Sequence, residues 1–152
     1  MVLAVTRTAP TFRALSTEEC EAMLAAHHVG RMAFSFHDRV DIEPMHYVWS
    51  DGWIYGRTGE GTKVRALARN RRVAFEIDEV DALFDWRSVV AKGSLYLLDP
   101  DDEGPLAGEW QRAVSLLRLV IPEAFTPDDP TPGRAIVFRI RAEDVTGRAA
   151  TP

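Results

Sequence analysis

Cysteine, long apolar runs and excess basic charge are scarce or missing in this sequence. Cys20 is the single cysteine, so the chain cannot form an internal disulfide bond or a cysteine-rich zinc site, and we expect a reducing, cytoplasmic setting. No apolar run approaches the roughly 18–20 residues that span a bilayer. The formal net charge of -5 disfavours general nucleic-acid binding, because such proteins need surplus Lys and Arg to displace counterions from phosphates. We therefore expect neither a membrane nor a nucleic acid as a partner.

The remaining composition is that of an ordinary folded domain. The chain has 152 residues, of which 46% are hydrophobic and 27% are charged. This length accommodates one domain with a sizeable core and leaves little room for a second. We therefore predict a single domain over residues 1–152.

Local patterns divide that domain into strands and short helices. Ser16 and Glu19 form a capping-box sequence, which predicts that a helix starts at Ser16, and Gly30 is the expected end of that helix. Turns rich in glycine, proline and aspartate separate stretches rich in β-branched and aromatic residues. We predict further helices at 63–70 and about 103–120, and strands at 29–36, 40–49, 53–57, 72–80, 86–98 and 134–145.

Most of these strands follow one another in hairpin order, the first three as a meander. Closing such a sheet into a barrel removes its exposed edges. The predicted fold is therefore mainly β or α+β: an antiparallel barrel of six or seven strands with three short helices appended.

The stretch 54–63 runs from a strand through a glycine-bearing loop into the start of a helix. Main-chain N–H groups at a helix start have no partner within the helix, and the helix dipole favours an anion there. Thr62 and Lys63 would therefore cradle an anionic group, with Arg57 and Thr58 approaching from the strand. The alternative is that the glycines only form a turn and that the basic residues after it coat a solvated helix.

Several segments together resemble a known family. They are 29–34, 44–47, 54–63, 67–78, 138–140 and 146–148. In order and spacing they are similar to the flavin-binding split barrels of the pyridoxamine 5′-phosphate oxidase-like family, particularly its nitroimidazole-reductase-like branch. The resemblance implies a six-stranded split barrel and a homodimer that holds two FMN molecules between its subunits.

The resemblance also implies which residues contact the cofactor. The strand that would lie along the isoalloxazine ring consists of Pro44, Met45, His46 and Tyr47. The side chains that would hold the ribityl phosphate are those of Arg57, Thr58, Thr62 and Lys63. The residues that would reach the flavin of the partner subunit are Trp86 and Ser88, although the adjacent Arg87 departs from the usual spacing.

Two kinds of side chain have both a chemical and a structural interpretation. His46 is a candidate proton donor, because histidine titrates near neutrality; a histidine on a strand also often packs or bonds a carbonyl. The four tryptophans are expected in the core or a dimer interface, with Trp86 the one to test for cofactor contact. No metal site is expected.

The function that this resemblance implies is FMN-dependent oxidation and reduction with a small organic acceptor. Three alternatives remain open at this stage. They are a reductase that uses the deazaflavin F420, a non-catalytic flavin or haem carrier, and an interaction module without a cofactor.

Overall fold

The structure is a computed structural model that describes residues 8–152. It contains eight strands and three helices over those residues. The strands are β1 (Thr11–Ala14), β2 (Val29–Phe36), β3 (Arg39–His46), β4 (Val48–Ser50), β5 (Trp53–Thr58), β6 (Arg72–Ala82), β7 (Asp85–Leu98) and β8 (Ile136–Thr151). The helices are α1 (Thr17–Ala26), α2 (Thr62–Arg69) and α3 (Glu109–Leu117). Among residues 8–152, no helix is both long and apolar enough to cross a membrane.

The predicted capping box at the start of α1 is confirmed. The backbone N–H of Glu19 donates to Ser16 Oγ at 3.1 Å, and the N–H of Ser16 donates to Glu19 Oε1 at 3.2 Å. The predicted helix end at Gly30 is wrong, since α1 ends at Ala26 and Gly30 lies in β2. Gly30 serves packing instead: a Cβ there would stand 2.4 Å from the Phe75 ring.

We expect Ser16→Ala to lower the free energy of unfolding by about 1 kcal/mol, because the N–H of Glu19 loses its acceptor. Denaturant unfolding followed by circular dichroism measures this change. Thr17→Ala is the matched control, since Thr17 is also exposed but does not accept the capping hydrogen bond. Equal loss in both variants would contradict a capping role for Ser16.

Two tight turns shape the first half of the sheet. His37 and Asp38 both have positive φ, 48° and 60°, which is the conformation of a two-residue hairpin turn between β2 and β3. Asp51 and Gly52, with φ of 49° and 83°, connect β4 to β5 in the same way. Both turns lie in the gaps between the predicted strands 29–36, 40–49 and 53–57, so these two predicted breaks are confirmed.

The predicted strand 40–49 is divided in two at Tyr47. The Tyr47 side chain is fully buried, its hydroxyl donates to the Leu24 carbonyl at 2.7 Å, and its N–H donates to the His28 carbonyl at 2.9 Å. These bonds tie Tyr47 to α1 and to the segment that follows it. The chain changes neighbours at this residue, so the predicted three-stranded meander is wrong: β3 pairs with β2, whereas β5 pairs with β4 and β8.

The eight strands form one antiparallel sheet in the order β3-β2-β6-β7-β8-β5-β4, with β1 added beside β8. The first and last strands of that order are separated in the chain by Tyr47 alone. The sheet therefore curls until its two ends meet at Tyr47, as in a barrel. No ladder joins β3 to β5, the strand beside β4. The barrel therefore stays split between β3 and β5.

The mainly β antiparallel fold is confirmed, with eight strands rather than six or seven. The additional strands are β1, whose four residues are all exposed, and β4, which the predicted strand 40–49 had included. A segment of four exposed residues is too short to identify a strand by its sequence pattern, and β1 pairs with the end of β8, which lies at the other end of the chain.

The third helix is shorter than predicted, because the segment before it folds into turns. The side chains of Asp99 and Asp102 accept hydrogen bonds from the N–H groups of Asp101 and Gly104, at 2.8 and 2.7 Å. Such local bonds compete with a helix. The helix begins only after Gly108, whose φ is 82°. Residues 126–133 contain no helix or strand, and the final strand spans Ile136–Thr151 rather than the predicted 134–145.

Two apolar clusters fill the interior. The larger lies inside the curled sheet beneath α1 and α2 and contains the buried Cys20. The smaller lies between α3 and the strands β5 and β8, where Val114 and Leu117 pack near Tyr55 and Val137. Helix α3 therefore covers the side of β5 opposite to the larger cluster.

The other face of strands β3, β2, β6 and β7 carries exposed apolar side chains. We call it the outer sheet face and define it by the exposed Val29, Val40, Ile42 and Val80 and the half-buried Trp86, which the strand register places on one side. The exposed fractions of Val40, Ile42 and Val80 are 79%, 60% and 66%.

Candidate functional site

The split between β3 and β5 holds the side chain of Lys63. Its ammonium donates to Thr58 Oγ1, on β5, at 3.3 Å and forms an ion pair with the carboxylate of Glu43, on β3. The Lys63 side chain is only 16% exposed. Lys63 thus connects β3 and β5, which have no backbone ladder between them.

The start of α2 adds main-chain donors beside Lys63. Gly61 is the N-cap residue; its φ of 148° lies in the region that favours glycine, and it has no side chain to cap the helix. The first N–H groups of α2 therefore have no side-chain acceptor at the N-cap, which leaves them able to meet an anion. The structure brings Thr58, Thr62 and Lys63 together at this point, with Thr62 exposed.

Arg57 is placed differently from these three residues. Its guanidinium makes two hydrogen bonds to Asp129, at 2.6 and 2.9 Å, and one to Thr131 Oγ1 at 2.8 Å. It also lies over the Phe125 ring, 4.8 Å from the centroid. Neighbouring residues of a strand point to opposite faces, so Arg57 faces the α3 side of β5 while Thr58 faces the split.

The Arg57–Asp129 pair is buried, with side-chain exposures of 6% and 3%. Hydrogen bonds from Arg57 hold the pKa of Asp129 well below its ordinary value, and the N–H groups of Phe125 and Thr131 lower it further. Asp129 therefore stays ionised and ties the loop after α3 to β5. A phosphate contact from Arg57 would require this pair to open.

The end of β3 presents alternate residues to different surroundings. Pro44 and His46 are exposed, whereas Met45 and Tyr47 are buried. Burial raises the pKa of the Tyr47 phenol, whose hydroxyl already donates to a carbonyl. The Tyr47 side chain is therefore not available to a ligand, and its main-chain N–H already donates to the His28 carbonyl. His46 also lines a small recess with Arg57 and Arg134, beneath the segment that follows α3.

Trp86 and Ser88 lie on β7, apart from the Lys63 cluster. Three strand spacings separate β7 from β3 in the sheet, or about 14 Å at ordinary spacing. Register places Trp86 and Ser88 on the same side of the sheet as Pro44. Within one chain, the structure does not bring them to the split.

The chain is similar to known proteins in both sequence and fold. The sequence model described as pyridoxamine 5′-phosphate oxidase matches residues 16–149. The chain belongs to the pyridoxamine 5′-phosphate oxidase-like family. The predicted family is therefore confirmed, and the split barrel described above is the fold of a flavin-binding family.

Three relatives show how far the likeness extends. An uncharacterised protein of Rhizobium meliloti is 31% identical over 146 residues, which cover 91% of this chain and 95% of the relative. A FAD-binding protein from Mesorhizobium loti is 30% identical, with a TM-score of 0.73 and coverage of 93% and 99%. A putative 5-nitroimidazole antibiotic resistance protein from Bacteroides thetaiotaomicron shares the fold, with 16% identity, a TM-score of 0.67 and coverage of 94% and 90%.

In this member of the pyridoxamine 5′-phosphate oxidase-like family, sequence reasoning missed two acidic partners at the site. Glu43 lies two residues before the buried Met45 on β3, so both side chains lie on the same side of the strand, and this spacing was a signal that Glu43 faces inward. Asp129 lies in an irregular loop and offers no such signal. Its pairing with Arg57 depends on where the loop crosses β5.

Arg87, the residue that departs from the family spacing, has a structural partner. Its guanidinium donates to Glu79, and Nε2 of His27 lies 2.7 Å from the same carboxylate. These hydrogen bonds, that of His27 first, lower the pKa of Glu79. Arg87 thus joins β7 to β6 and to the end of α1, on the side of the strand opposite to Trp86 and Ser88.

Proposed function

We propose that this chain binds FMN in the split between β3 and β5 and works as a flavin-dependent oxidoreductase that reduces a small organic acceptor. The observation that carries the proposal is the Lys63 ammonium, held in the split beside Thr58 and the first turn of α2. An ammonium, a hydroxyl and free main-chain N–H groups form a donor set suited to a phosphate monoester. These residues therefore fit the phosphate of FMN.

When bound, the flavin supplies hydride or electron transfer, while the protein binds and orients it. In the proposed arrangement Thr58, Thr62 and Lys63 hold the phosphate, and the edge of β3 offers main-chain groups to the polar side of the ring. Arg57 acts on the opposite side of β5 by holding the loop after α3. His46 is the proposed proton donor, since its imidazole is exposed at the end of β3.

We further propose a cytoplasmic homodimer in which the outer sheet faces of two chains pack together. Exposed apolar side chains on one face are typical of a protein interaction surface. Trp86 and Ser88 lie on this face, so the same packing would carry them towards the partner's flavin. This arrangement accounts for their separation from Lys63 within one chain.

We expect Ile42→Asp to shift the protein from dimer to monomer, because a charge would be buried in the interface without a partner. Sedimentation velocity at micromolar concentration measures the mass. Leu119→Asp is the matched control: Leu119 is 75% exposed but follows α3, away from the outer sheet face. A wild-type protein that sediments as a monomer would contradict the proposed dimer.

Cofactor choice is tested by the visible spectrum of protein purified from a host that makes both FMN and F420. Apo-protein is then titrated with FMN, FAD and F420; FAD is included because the Mesorhizobium loti neighbour is described as FAD-binding. Highest affinity for FMN supports the proposal. A haem spectrum, or protein that takes up none of these cofactors, contradicts it.

F420 is the second candidate, because the basic residues of and after α2 would suit its long anionic tail. They are Arg65, Arg69, Arg71 and Arg72. Clear preference for F420 in the titration would replace FMN in the proposal. Multiple turnovers with NAD(P)H and an acceptor would separate an enzyme from a non-catalytic carrier.

A further inference from the structure

Glu43 occupies a donor that the proposed phosphate needs. Its carboxylate pairs with the Lys63 ammonium, whose other partner is the Thr58 hydroxyl. The Glu43 side chain is 40% exposed, whereas that of Lys63 is 16% exposed. The lysine is therefore held in place, and the glutamate is the member of the pair that has room to move.

A carboxylate and a phosphate cannot share one ammonium without cost. Two anions a few ångströms apart repel each other, and partial burial in the split reduces the screening by water. Glu43 must either swing away from Lys63 or remain close to the phosphate. In both cases the phosphate gains less binding free energy at Lys63 than it would without Glu43. A ligand that lacks a phosphate does not compete with Glu43, so its affinity is unaffected.

We propose that Glu43 is an internal competitor for the cofactor phosphate and sets how strongly this protein distinguishes phosphorylated from unphosphorylated flavin. The inference rests on the proposed binding of flavin at the split. Glu43 closes the anion site when it is empty, by neutralising Lys63 between β3 and β5. Its place on an edge strand allows it to leave towards solvent when the phosphate enters.

The test compares FMN with riboflavin, which has the same ring and ribityl chain but no phosphate. We expect Glu43→Gln to raise the affinity for FMN about five- to tenfold, a discounted value because the pair is partly exposed. The affinity for riboflavin stays unchanged. Asp41→Asn is the matched control: Asp41 lies two residues before Glu43, on the same side of β3, and bonds the N–H of Ile42 instead.

A double variant connects the effect to Lys63. In a Lys63→Ala background, Glu43→Gln should no longer change FMN affinity, because the ammonium for which the carboxylate and the phosphate compete is absent. If Lys63→Ala weakens FMN but Glu43→Gln does not strengthen it, the role of Glu43 is wrong and the phosphate site stands. If Lys63→Ala changes nothing, the proposed site itself is wrong. Equal gains for FMN and riboflavin, or weaker FMN binding, also overturn the role of Glu43.

Discussion

Lys63→Ala is expected to weaken FMN binding by about 1.5–3 kcal/mol, the range for hydrogen bonds to charged groups. The variant removes the ammonium that lies between β3 and β5 and leaves Thr58 and the start of α2 in place. Riboflavin binding should change little, since riboflavin has no phosphate. Quenching of flavin fluorescence during titration of apo-protein measures both affinities.

Arg69→Ala is the control for this experiment. Arg69 lies at the other end of α2 and carries the same charge, so the variant reports the general effect of losing one positive charge near the site. We expect it to change FMN affinity much less than Lys63→Ala. Unchanged FMN affinity in Lys63→Ala would show that Lys63 does not contact the phosphate. The proposed function would then lose its main support.

Arg57→Leu is expected to lower the melting temperature by about 5–10 °C, because it leaves the buried carboxylate of Asp129 without its cation. Asp129 also accepts from the N–H groups of Phe125 and Thr131, at 2.8 and 2.9 Å, so the loop after α3 loosens with it. Thermal unfolding followed by circular dichroism measures the loss.

The double variant Arg57→Leu/Asp129→Leu is the matched control for the buried pair. Removal of both charges leaves no buried carboxylate unpaired, so part of the lost stability should return. A double variant as unstable as Arg57→Leu would show that packing, rather than charge, explains the loss. FMN affinity is measured at a temperature where Arg57→Leu is folded; a large loss there would restore Arg57 to the phosphate site.

The Arg57–Asp129 pair also gives the wild type a pH dependence of defined sign. The pKa of Asp129 is lowered by folding, so the stabilisation is complete above the ordinary pKa of an aspartate, near 4. As the pH falls below about 4, the unfolded chain takes up the proton first and the stabilisation decreases. The double variant lacks this contribution, and melting temperatures recorded between neutral pH and strong acid test the difference.

The site was predictable in part because some of its geometry is local. Gly61, Thr62 and Lys63 follow a strand and open a helix, and that order alone places Lys63 near free N–H groups. The partners of Lys63 and Arg57 were harder to predict from the sequence. Glu43 lies on another strand, and Asp129 lies in a loop far along the chain, so neither pair is a neighbour in sequence.

In the fold, too, local features were predictable from the sequence and long-range contacts were not. The cap at Ser16 and the turns at His37 and Asp51 follow from the conformations that a few adjacent residues prefer. The roles of Gly30 and Tyr47 could not be predicted in this way, because they depend on contacts with distant residues. Position 30 has room only for a glycine, because the Phe75 ring packs against it. Tyr47 divides a strand because its hydroxyl donates a hydrogen bond to the Leu24 carbonyl in α1.

By itself, the sequence determined the mainly β content, most strands and helices, the hairpin turns and a lysine at the start of α2, since each depends on nearby residues. Only the tertiary structure decided that β3 and β5 have no ladder between them, although β5 pairs with β4 and β8, and this opens the split that Lys63 occupies. Strand partners depend on how the whole sheet curls to bury its apolar face. That choice is made by contacts between residues far apart in the chain.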